Sequence, residues 1–154
     1  MIKVNVEVNY KYWLKKIKNP KKYINSKLKI ISSVIPFFKK KKAIFTILLT
    51  NSTNMKKFNK KFRKKNKSTD VLSFPNILPG DLKLIKENNI YIGDIAASYE
   101  IINKRSLKNN FNTEFDKVWV HGLLHLIGYD HIKNKDYYKM EKAEKKILSL
   151  ISRQ

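Results

Sequence analysis

The stretch "HGLLHLIGYDH", residues 121–131, decides how the rest of this chain is read. It holds all three histidines of the 154 residues, at His121, His125 and His131. His121 and His125 stand four apart in "TEFDKVWVHGLLHLI", a segment of helical pattern. That spacing stacks both imidazoles on one helix face, close enough to chelate a single ion. Gly128 then lets the helix end and the chain reverse, which returns His131 to the same ion. Three neutral imidazoles leave a fourth coordination position for water, the pattern of a catalytic zinc site rather than a structural one. A lone histidine is more often a surface or core residue than a ligand. Here three share the spacing H-x3-H-x5-H, with glycine at the turn and no other histidine to dilute the pattern. Asp130 reads either as a carboxylate that orients a ligand or as a turn residue.

The same spacing is found in the long zinc-peptidase motif H-E-x-x-H-x-x-G-x-x-H. In those enzymes the slot after the first histidine holds a general-base glutamate. Here it is Gly122, so the metal geometry is kept and the proton handler is lost. Glycine inside a helix costs about 1 kcal/mol relative to alanine, and a space requirement beside the metal is the expected reason for it. Met140, in "YYKMEKAEKK", has helical spacing and reads as a packing residue rather than a peptidase Met-turn.

Cysteine is absent, which leaves only nitrogen and oxygen ligands for a metal. "MIKVNVEVNYKYW" lacks the apolar core of a secretory signal, and runs such as "AIFTILL" are too short to span a bilayer. The expectation is a soluble, cytoplasmic protein. A formal charge of +22 invites an RNA partner. The chain nevertheless has only 3 Arg against 31 Lys, and Lys, Ile and Asn together make 66 of its 154 residues. That mixture looks like drift in an AT-rich genome, so part of the charge is background. A phosphate-gripping surface favours the planar fork of arginine. Each Arg therefore carries more information than any Lys.

"IKVNVEV" alternates as a half-buried strand, and "AIFTILL", "DVLSF" and "IYIGDIAAS" read as three more. Pro20 divides "KYWLKKIKNPKKYINSKLKIISSVI" into two helices or marks the first turn of the second. "KKKK" at 39–42 reads as a solvated loop. Asn51, Ser52 and Thr53 offer N-caps to a helix with Met55, Phe58 and Phe62 on one stripe. The last third is helical, with Thr113 and Asp116 as the expected cap of the histidine helix. Val118, Trp119, Leu123 and Leu126 are its expected buried face. The whole, residues 1–154, is expected to be one α/β domain with a mixed sheet of about four strands and five or six helices.

Three blocks resemble a known family. "HGLLHLIGYDH" fits the H-G-x-L-H-L-x-G-Y-D-H signature of the bacterial YbeY proteins, endoribonucleases and rRNA maturation factors. "FNKKFRKKNKSTDVLSFP", residues 58–75, is similar to their L-N-x-x-Y-R and T-D/N-V-L-S-F-P stretch, with Phe58 and Phe62 where Leu and Tyr are usual. "IGDI" at 92–95 fits their L-G-D-I. The resemblance implies a metzincin-like α/β fold and a zinc-dependent endoribonuclease directed at single strands. It further implies work on ribosomal RNA and ribosomal particles, in small-subunit 3′-end maturation and ribosome quality control.

One Zn2+ on His121, His125 and His131 can lower the pKa of a bound water to about 7 and polarise a phosphoryl oxygen. Arg63 lies in the second block and is the candidate for stabilising phosphate charge, against the simpler reading of an exposed helix charge in "KKFRKK". Ser73 and Asp94 are either close to the pocket or structural hydrogen-bond partners. The general base is open between Asp130, a second water and an RNA 2′-hydroxyl. Two other classes compete. One is a non-catalytic, zinc-stabilised RNA- or ribosome-binding factor. The other is a metallopeptidase, disfavoured by Gly122.

Overall fold

Alternation in the first residues builds strand β1 (Ile2–Val8), with Ile2 and Val4 buried and Lys3 and Asn5 exposed. The computed structural model describes residues 1–153. Strands β2 (Lys42–Thr50), β3 (Val71–Pro75) and β4 (Asn89–Ser98) join β1 in one mixed sheet of order β1-β2-β4-β3. β1, β2 and β4 run parallel, and β3 runs antiparallel to β4 on the edge. The strands matched by the sequence patterns are these four.

Seven α-helices surround the sheet among the described residues: α1 (Tyr12–Lys16), α2 (Pro20–Val34), α3 (Pro36–Lys40), α4 (Ser52–Arg63), α5 (Tyr99–Arg105), α6 (Phe111–Leu126) and α7 (Asn134–Ile151). The α/β class and mixed sheet are as expected. The helix number rises because α1 and α3 are single turns too short to show a period. Pro20 and Pro36 each occupy the first turn of a helix, where a missing N–H costs nothing. The Asn19 side chain caps α2 by accepting from the Lys22 N–H at 2.9 Å.

The run at 39–42 is not a solvated loop. Lys39 and Lys40 end α3 and Lys42 begins β2. Lys41 Nζ donates to the carbonyls of Ile85, Lys86 and Glu87 at 2.8, 3.3 and 3.1 Å, tying that loop to the sheet.

The two sheet faces are covered unequally. Ile47, Leu49, Ile95 and Ala97 share a core with Ile24 and Leu28 of α2, Trp119 and Leu123 of α6, and Ile147 of α7. On the opposite face Leu72 and Ala96 pack under Met55 of α4, with Leu48, Phe58 and Phe74 around them. Asn51 caps α4 as expected, accepting from the Asn54 N–H at 2.9 Å. The Met55, Phe58, Phe62 stripe rotates out of the core along the helix, since Phe62 is 56% exposed.

α6 lies against β3 and β4. Val118, Trp119, Leu123 and Leu126 are all buried, as their spacing required. Its cap differs from expectation. The Asn110 side chain accepts from the Thr113 N–H at 2.8 Å, so the helix starts one turn earlier than Thr113 suggests. Asp116 is instead buried with Lys27, Tyr23 and Trp119. Met140 is buried within α7, a packing residue.

Candidate metal centre

The last two turns of α6 present His121 and His125 on one face, toward a cleft that β3 also lines. Their Nε2 atoms stand 3.0 Å apart. After Leu126 the chain reverses at Gly128, whose φ of +94° is costly for any residue with a side chain. A Cβ there would also stand 3.0 Å from Pro79 Cβ. The reversal brings the His131 ring centroid within 5.8 Å of His121 and 4.9 Å of His125. One nitrogen from each of the three rings lies within 4.8 Å of the others.

The protonation pattern follows from the partners. His121 Nδ1 faces Glu144 Oε1 of α7 at 2.5 Å, and His125 Nδ1 faces the Tyr129 carbonyl at 2.9 Å. Both partners are acceptors, so each Nδ1 carries the proton and donates it. In the neutral rings that a metal requires, each Nε2 is then a bare lone pair, and two such lone pairs point at one another. With no proton between them, the pair is a mismatch as a hydrogen bond and a match as two metal ligands. Nitrogens on a tetrahedral zinc stand about 3.3 Å apart, given Zn–N distances of about 2.0–2.1 Å. Burial, and next the neighbouring His121, hold His125 below the ordinary histidine value, which favours the neutral ligand form. The donor set, all imidazole nitrogen, suits zinc.

Gly122 has a reason other than room beside the metal. A Cβ there would meet Ile95 Cγ2 at 3.0 Å and Ser73 Oγ at 3.2 Å, both on the sheet side. The glycine lets α6 approach β3 and β4. Ser73 donates its hydroxyl proton to the Gly122 carbonyl at 3.1 Å and is a structural partner of the helix. Asp130 is the turn residue of its two readings: its Oδ1 accepts from the N–H of His131 at 2.7 Å and of Ile132 at 3.3 Å. Asp94 accepts from the Tyr91 hydroxyl on the exposed side of β4 and does not line the histidine cleft.

The histidines lie in an open cleft of about 1170 Å³. Arg63 lines it from the end of α4, reaching round the edge of the sheet to donate from Nη2 to the Ser73 carbonyl at 3.1 Å. Arg63, Lys65, Lys67, Arg105 and Lys139 line the cleft against Asp70, Asp130 and Asp136, so its walls are net basic. Two contributors carry no motif in the sequence. Glu144 lies 13 residues beyond His131 with no motif to link them. Arg105 had one available signal, the scarcity of Arg.

The fold and site together define a single-sheet α/β protein with a three-histidine metal-binding geometry in a basic cleft, and without the peptidase glutamate. The profile of the Endoribonuclease YbeY family matches residues 7–152, and the chain belongs to that family. The Endoribonuclease YbeY of Pelagibacter ubique (strain HTCC1062) is 46% identical over 155 residues, covering 98% of this chain and 97% of the relative. That of Buchnera aphidicola subsp. Acyrthosiphon pisum (strain APS) is 40% identical over 149 residues, covering 94% and 90%. The solution structure of a Thermotoga maritima protein shares the fold, with a TM-score of 0.57 and 24% identity over 98% of this chain and 89% of that one. Among the described residues no helix is long and apolar enough to cross a membrane.

Proposed function

We propose that this chain is a zinc-dependent endoribonuclease that cuts single-stranded RNA, acting on ribosomal RNA at the small-subunit 3′ end and in ribosome quality control. The observation that carries the reading is the pair of facing Nε2 atoms of His121 and His125, with His131 beside them, lining a basic cleft. Membership of a family described as endoribonucleases supports the choice of substrate. A zinc ion held by His121, His125 and His131 would supply Lewis acidity and an activated water. The rest falls to the protein. Glu144 and the Tyr129 carbonyl fix the tautomers of two ligands. Arg63 offers a guanidinium to a phosphate oxygen in the same cleft. The basic walls favour a polyanion, and the openness of the cleft suits an unpaired strand.

The test is metal analysis of the purified protein combined with cleavage of a single-stranded RNA, with and without chelator. The expected result is about one zinc per chain and cleavage that stops on chelation and returns with zinc. Chelated protein should keep its far-UV circular dichroism, because α6 and α7 pack through Val120, Leu124, Met140 and Ile147 rather than through the histidines. Unfolding on chelation, with no cleavage at any zinc loading, would favour the zinc-stabilised binding factor instead.

A further inference from the structure

Two of the three arginines line the histidine cleft, Arg63 from α4 and Arg105 from α5. Both are tied to the edge strand β3. Arg63 donates to the Ser73 carbonyl, and Arg105 donates from Nη1 to Asp70, the residue before the strand. Asp70 is itself fixed: its Oδ1 accepts from the Val71 N–H at 2.8 Å, and its carbonyl accepts from the Ser98 N–H at 2.9 Å. Among the described residues Asp70 is the one hydrogen-bond partner of the Arg105 side chain, which stays 51% exposed. One arm of the guanidinium is thus anchored, and the Nε and second Nη donors are unpaired. That is the preorganised fork a phosphate takes in two places. A lysine here would keep the charge but, held by Asp70, would have no second planar arm to offer.

The position of Arg105 gives the fork a direction. It borders the main cleft, and it also borders a second hollow of about 540 Å³ on the other side of His121 and His131. The hollow carries four carboxylates, Glu114, Glu141 and Glu144 besides Asp70, and only three cations. A polyanionic strand is favoured in the main cleft and disfavoured beyond it. Arg105 stands on the boundary.

We infer that Arg105, positioned by Asp70, binds the backbone phosphate next to the one cleaved and marks one end of the RNA path across the site. The inference rests on the RNA-cleaving reading above.

The test uses the zinc-loaded chain and a short fluorescent 2′-O-methyl oligoribonucleotide, checked on a gel to stay uncut over the time of the measurement. Affinity is measured by anisotropy at rising salt for the native protein, Arg105→Ala and Arg105→Lys. The alanine variant should bind about tenfold more weakly, and its plot of log affinity against log salt should be shallower by about 0.7, one phosphate contact on a single strand. The lysine variant should keep the slope and recover only part of the affinity. A single uncharged methylphosphonate linkage walked along the strand should weaken native binding at several positions. At one of them it should have no effect on Arg105→Ala. Arg105→Gln, which can still donate to Asp70, replaces the alanine variant if that one melts early. An unchanged slope, or methylphosphonate effects identical in native and variant proteins, would overturn the assignment. A native protein that binds and cuts no single-stranded RNA would remove the parent reading and this one together.

Discussion

The Ser73 hydroxyl donates to the Gly122 carbonyl at 3.1 Å, and the same oxygen lies 3.2 Å from where a Gly122 Cβ would be. The strand and the histidine-bearing helix are therefore in contact with no room for a side chain between them. Substituting the peptidase glutamate, Gly122→Glu, forces a carboxylate against Ile95 and Ser73. Overpacking costs about 1–3 kcal/mol, and an unpaired buried carboxylate adds to it. We expect Gly122→Glu to lose about 3 kcal/mol or more in urea denaturation and to cleave no casein at any zinc loading. A stable variant with chelator-sensitive peptidase activity would show that the position faces the metal after all.

Glu144 accepts from Nδ1 of His121, while its own side chain is 23% exposed. Removing such a partner commonly lowers metal affinity 10–100-fold. Glu144→Ala should do so in a competitive chelator titration and change global stability by less than about 1 kcal/mol, as expected of a partly exposed group. Asp130→Asn is the control. An amide oxygen can still accept from the His131 N–H and close the turn, so metal affinity should stay within about threefold. Equal losses in the two variants would mean that Glu144 acts through the fold rather than through the imidazole.

Local signals were legible in the sequence, and long-range pairings were not. β1 declared itself by alternation, and the burial of Trp119 and Leu123 by helical period, because both periods are written within one element. The helix pair and the returning His131 were equally local. Glu144, Asp70 with Arg105, and Ser73 with Gly122 join residues 23, 35 and 49 positions apart. No spacing rule spans such separations. The cap of α6 is ambiguous in sequence because Asn110 and Thr113 both offer a capping oxygen. Asp116, which favoured Thr113, had a buried lysine as its real partner. A glycine in mid-helix signals a need for space, but only the sheet beneath α6 reveals on which side.

That buried pair supports an asymmetric prediction. Asp116 accepts from Lys27 Nζ, from the Tyr23 hydroxyl at 3.0 Å and from Trp119 Nε1 at 2.9 Å. Burial, then Asp116, raise the Tyr23 pKa, so its hydroxyl stays protonated and donating. Lys27→Met leaves the carboxylate two donors and adds apolar contact. Asp116→Ala leaves an ammonium whose side chain is 11% exposed with only Tyr23, its oxygen and its ring face, beside it and no counter-charge. Breaking a buried pair by removing one partner costs about 3–5 kcal/mol when the other charge is stranded. Asp116→Ala should fall in that range, and Lys27→Met should cost clearly less. Chemical denaturation of the two variants checks the order, and equal losses would show that the lysine is not stranded.

Arg63 performs two tasks that a mutation series can separate. Its hydrogen bond to the Ser73 carbonyl is partly buried at the sheet edge. Losing such a bond costs about 1 kcal/mol of stability. The same guanidinium lines the cleft with the histidines. If it meets phosphate charge as cleavage proceeds, its loss costs about 3 kcal/mol, roughly a hundredfold in rate. Arg63→Ala should therefore be about 1 kcal/mol less stable, hold zinc normally, and cut saturating single-stranded RNA about a hundredfold more slowly in single turnover. Arg63→Lys can hold the Ser73 carbonyl or the phosphate but not both in the geometry of a fork. It should regain binding charge, visible as a native salt slope, while regaining little rate. Neutralising Lys39 and Lys40 at the end of α3, which do not line the cleft, should leave the single-turnover rate unchanged at saturating RNA. If Arg63→Ala cuts saturating RNA at the native rate, the residue is a clasp on the sheet edge and the charge of the transition state is met by other groups.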